Sequence, residues 1–179
     1  MSKKYSLTAL IALALTIGAI TFGGHPQNNK ASNPQASVVP EFVPYMLLFD
    51  HHNYNLQKAA ELEQQGKDGT RFRLMLKQRA GLSDDQALIF DRVTSDCEQE
   101  LALQDAKASV VIADFRARFP AGKLPEGVTL PPPPPELTKM QEERNAIILR
   151  SRDRLQAAFG EQDFTRFDSF VKSQVVSGR

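Results

Sequence analysis

The chain has 179 residues, enough for one folded domain with extensions, and a formal net charge of +1. A charge so close to zero provides no general attraction for nucleic acid. A single cysteine excludes an internal disulfide framework and C-x-x-C redox chemistry.

Lys3 and Lys4 precede an apolar run over 7–22. A short basic stretch followed by such a run has the form of an export signal. The run is shorter than the roughly 20 residues that a membrane-spanning helix needs. Small residues at Ala19, Thr21, Gly23 and Gly24 offer places for cleavage. Residues 1–24 are therefore expected to be a signal peptide or, if uncleaved, an N-terminal anchor. Cleavage would leave a net charge of about −1, because Lys3 and Lys4 are the only charged side chains removed. The expected location is the periplasm or the exterior, with membrane contact only through an uncleaved segment. Residues 25–43 are rich in Asn, Gln, Ser and Pro and read as a disordered tether.

Residues 44–175 read as a single helical domain. Over 44–65, Tyr45, Leu48, Phe49, His52, Leu56 and Ala59 recur at helical spacing. Gly66 to Gly69 interrupt the pattern, and Asp68 is placed to cap the second helix. That short helix, over 70–79, turns Phe72, Met75 and Leu76 one way. Its other side carries Arg71, Arg73, Lys77 and Arg79. Gly81 stands where a helix ends in the left-handed conformation.

Leu82, Ser83 and Gln86 then form a start signal. A serine with glutamine three residues later is a capping box, with a hydrophobic residue just before it. Asp84 and Asp85 put negative charge at the positive end of the helix dipole. The predicted helix runs over 83–119, about 55 Å at 1.5 Å per residue. Its stripe holds Phe90, Val93, Cys97, Leu101, Ala108, Val111, Ile112, Phe115 and Phe119. So long a rod is expected to exceed what the other helices can cover, leaving apolar flank for a partner. A proline-rich linker over 120–135, with five consecutive prolines at its end, favours stiff polyproline II and turns the chain round a hairpin tip. A fourth helix runs from Pro135 or Glu136 to about Phe159. A last one after Gly160 carries Phe164, Phe167, Phe170 and Val171 on one face. The expected fold is all-α: an elongated helical hairpin or bundle of about five helices around one long central helix.

Four features bear on chemistry. Asp50, His51 and His52 are the one local cluster with metal-ligand character, but adjacent helical residues point about 100° apart, so they suit a structural role better. Cys97 falls on the apolar stripe, which favours a buried hydrophobe; the alternative is an intermolecular disulfide. Arg144, Arg150, Arg152 and Arg154 are interleaved with acids and read as a charged helix surface, as do Glu98, Glu100 and Asp105. The stripe Phe164, Phe167, Phe170 and Val171 reads as core, or as a partner surface if nothing covers it. No nucleophile motif, phosphate loop or metal-ligand spacing occurs. The chain is therefore read as a non-enzyme without cofactors.

Leu82-Ser83-Asp84-Asp85-Gln86, together with a later helix pair in which Gly160-Glu161-Gln162-Asp163 precedes a phenylalanine-bearing helix, resembles the Spy/CpxP family of small exported helical proteins with LTxxQ motifs. Ala158 and Phe159 stand where that motif has leucine and threonine, and the proline linker departs from the pattern. The resemblance implies a helical-hairpin dimer, and the family includes ATP-independent periplasmic chaperones, envelope-stress adaptors and metal-resistance proteins. It carries over only Leu82, Ser83, Gln86 and Gln162, as residues that hold helix junctions. The expected function is an exported binding protein, acting on protein clients or an envelope partner as a homodimer. A metal-responsive protein or a structural envelope scaffold is the alternative.

Overall fold

The computed structural model describes residues 39–118 and 132–177, with side chains to 174. The export signal, the greater part of the tether and most of the proline linker lie outside the described residues.

Among the described residues five helices succeed one another: α1 (Phe42–Gln64), α2 (Thr70–Arg79), α3 (Asp84–Ala117), α4 (Pro135–Phe159) and α5 (Glu161–Ser177). No strand occurs among the described residues, and the fold is all-α as expected. The ends obey local signals. After α1 and α2, Gly66 and Gly81 have φ of 72° and 64°, a conformation open to glycine at little cost. Lys67 and Leu82 then donate their backbone N–H groups to Leu62 and Lys77, 2.9 and 3.1 Å away. Those bonds close a Schellman motif and satisfy carbonyls that the helix leaves free. At the start of α3 the capping box is complete: Gln86 N donates to Ser83 Oγ, and Ser83 N donates to Gln86 Oε1 at 3.0 Å. α1 starts two residues earlier than its periodicity suggests. Pro44 sits in the first turn, where its missing N–H costs nothing.

α3 has 34 residues, about 51 Å, ending before Phe119, which lies outside the described residues. α4 runs back along it. The ties from Asp105 to Arg144, Glu100 to Arg150 and Asp96 to Arg154 fall in inverse order along the two helices, so the pair is antiparallel. α1 packs against α3, α4 and α5, and α2 folds back on α1. Gly69 permits that last approach, because a Cβ there would lie 2.6 Å from the Ala59 carbonyl oxygen.

The core sits at the end of the α3–α4 hairpin away from the prolines. Tyr45 and Phe49 of α1, Phe90 and Val93 of α3, Ile148 and Leu155 of α4, and Phe167 and Val171 of α5 meet there. This narrows the expectation that the rod leaves apolar flank for a partner. Phe90, Val93, Cys97 and Ala108 are buried by the chain's own helices, and Val111, Ile112 and Phe115 are half-buried. The exposed apolar residues of α3 lie off that stripe, at Leu88, Leu103 and Val110. Near the hairpin tip, Val111 and Phe115 face Pro132 to Pro135 across an open cleft. No helix among the described residues is long and apolar enough to cross a membrane.

Candidate binding groove

Neighbouring residues of α1 divide between the core and a groove. Tyr45 and Phe49 are buried in the core, while Pro44, Leu47, Leu48 and His51 line one wall of the groove. Met75, Leu76 and Arg79 of α2 form the second wall, and Phe170, Val171 and Gln174 of α5 the third. The groove holds about 140 Å³. Leu47 is 47% exposed at its lip. Among the described residues its lining is chiefly apolar, with three polar side chains and no carboxylate. Arg79 spans the end, donating from Nη2 to Gln174 Oε1 at 2.7 Å.

The charges of α2 have divided roles. Arg73 forms a two-bond pair with Glu63, at 2.8 and 2.6 Å. Lys77 donates to Asp91 Oδ2 at 2.8 Å. Arg71 and Arg79 have no carboxylate partner among the described residues. Periodicity alone shows α2 as basic; which cations stay uncompensated depends on where α1 and α3 place Glu63 and Asp91.

A polar cluster joins α1 to α3. His52 is 1% exposed, and its Nε2 lies 3.0 Å from Asp91 Oδ1. The contact is at ion-pair distance, and both atoms, with Asn55 Nδ2, lack a hydrogen-bond partner among the described residues. The His52 ring meets the edge of Phe90, centroids 4.7 Å apart. Burial pushes the His52 pKa below its ordinary value. Asp91 opposes this, while Lys77 and His51 add to it. A folded-state value below the unfolded one means that the unfolded chain takes up the proton first. The contribution of neutral His52 is thus complete above its ordinary pKa of about 6.5 and is lost as pH falls below it. Urea midpoints are expected to fall between pH 7.5 and pH 5.5, with a shallower fall in His52→Gln. A midpoint that rises on acidification would mean that Asp91 outweighs burial.

The remaining sequence candidates separate. His51 lines the groove, His52 enters the core and Asp50 is exposed, so the three do not converge. No group of three or more His, Cys, Asp or Glu side chains able to hold a metal exists among the described residues. Cys97 is fully buried, and burial raises its thiol pKa against a bond to Ser151 that lowers it. A disulfide to another copy would require the core to open, so the geometry speaks against the intermolecular bridge. The phenylalanine stripe is likewise core rather than partner surface. Phe167 and Val171 are 1% exposed and Phe164 is buried with them; Phe170 and the edge of Val171 reach the groove. The reason is α1, which covers α5 through Tyr45: its ring stacks on Phe164 and its hydroxyl donates to Asp168 Oδ1 at 2.8 Å.

At the junction of α3 and α5, Leu82 packs on the core and Gln86 reaches both helices. Besides closing the capping box, its Nε2 donates to Asp163 Oδ2 at 2.7 Å. Asp163 is thus the α5 residue that joins the two motifs, while Gln162 beside it is exposed. Asp105 and Arg144 are not a solvated face either. Arg144 is 7% exposed, and its Nε donates to Asp105 Oδ1 at 3.3 Å. No family model, curated protein or solved structure matches the chain.

Proposed function

We propose that the chain is an exported, non-enzymatic helical binding protein that holds protein clients at the groove between α1, α2 and α5, as an ATP-independent envelope chaperone or stress adaptor would. The observation that carries this reading is an open apolar groove with a half-exposed leucine at its lip, beside a rigid core. Concave, mostly apolar surfaces with a few polar groups are where proteins take ligands. Met75 suits varied occupants, since an unbranched thioether adapts to many shapes. The basic and apolar N-terminal pattern supports the location. The same reading keeps a homodimer, now through the outer face of α3, where Leu103 and Val110 stand 67% and 59% exposed.

The test is light scattering by a chemically denatured client enzyme diluted into buffer with the purified chain. Suppression of aggregation at equimolar dose, weakened by Leu47→Lys, is the expected result. Unchanged scattering at that dose would sink the reading.

A further inference from the structure

The groove's charge says what its occupant must bring. We propose that it takes a single bulky apolar side chain, aromatic or leucine, from a protein segment that places a carboxylate beside it, and that Arg79 receives that carboxylate. The inference rests on the client-binding reading and narrows it to a chemical class.

The size of the groove comes first. About 140 Å³ is close to the roughly 150 Å³ apolar cavity that accepts one benzene. It has room for one side chain and not for a long acyl chain, so a peptide rather than a lipid is the fitting occupant. The second observation is charge. Arg79 and His51 are the ionisable groups of the lining, and no carboxylate among the described residues joins them there. Across the groove, Arg79 uses Nη2 to reach a neutral amide, Gln174. A guanidinium carries five N–H donors in a planar fork matched to carboxylate geometry. The nearest cations, Arg73 and Lys77, are already neutralised by Glu63 and Asp91. Arg71, on the same helix, has no carboxylate partner among the described residues and extends the positive field. Asp50, one residue from His51, is not part of the lining and lies close enough to Arg144 and Asp105 to feel their charges. The complementary ligand is therefore apolar at its centre and anionic at its flank.

Three fluorescently labelled heptapeptides test this by anisotropy against the full chain: Gly-Ser-Glu-Phe-Glu-Ser-Gly, the same peptide with lysine for glutamate, and the same with alanine for phenylalanine. The acidic phenylalanine peptide is expected to bind at least about tenfold tighter than either of the others. Its affinity should fall as salt rises. Arg79→Glu should reverse the preference between the acidic and lysine peptides. Arg79→Gln should remove it without introducing a new charge, and both variants should keep the helical circular dichroism of the parent. Equal binding of acidic and lysine peptides, or an acidic preference unchanged in both variants, overturns the proposal. Client protection that survives Arg79→Gln while the peptides show no preference would leave the chaperone reading standing and remove this one.

Discussion

Phe167→Ala is expected to destabilise the chain by about 3–5 kcal/mol, the range for removing a buried phenylalanine. The melting temperature of a domain this size should fall by about 10 °C. The ring is 1% exposed and stands between three others. Its centroid is 5.9 Å from Phe90, 5.4 Å from Phe159 and 6.4 Å from Phe164. The first two contacts are edge-to-face, the arrangement that aromatic quadrupoles favour. Removing it leaves a cavity where α3, α4 and α5 meet, and rigid helices cannot collapse to fill it. The outcome also decides between two readings of the α5 stripe. Were it a partner surface, the substitution would weaken client capture and leave the melting temperature nearly unchanged. Calorimetry beside the scattering assay reads both.

The second large effect belongs to the pair that ties α3 to α4. Asp105→Leu should cost about 3 kcal/mol, the lower end of the range for breaking a buried ion pair. It leaves the Arg144 guanidinium under cover without its carboxylate. Adding Arg144→Met should recover most of that loss, because an apolar pair of similar size incurs no desolvation penalty. Arg144 keeps one other contact, from Nη1 to Met46 Sδ at 3.6 Å, which a methionine replaces with apolar packing. Urea denaturation of the parent, both single variants and the double variant forms the cycle. A single substitution costing well under 1 kcal/mol would return Asp105 to the solvated face that its sequence suggests.

The groove was the least legible feature. Its lining comes from Pro44 to His51, Met75 to Arg79 and Phe170 to Gln174, three stretches with no shared motif. Each reads separately as part of an amphipathic helix. Only the angle at which α2 folds back from Gly69, and the docking of α5 on α1 through Tyr45, bring their edges together. The buried charges were hidden for the same reason. Asp105 and Arg144 look like surface residues in one helix, and are covered once α3 and α4 pack together.

What the sequence determined alone is the order of the described helices and most of their ends. Those depend on groups within a few residues of one another: Ser83 and Gln86 at a start, Gly66 and Gly81 at two ends, Pro135 in a first turn, and apolar spacing in between. Tertiary structure decided which apolar faces meet and which remain open, where Cys97 and the α5 phenylalanines lie, and which arginines keep a charge to offer. Burial and polar pairing depend on the approach of segments up to 123 residues apart, as between Tyr45 and Asp168. No local spacing encodes the angle of that approach.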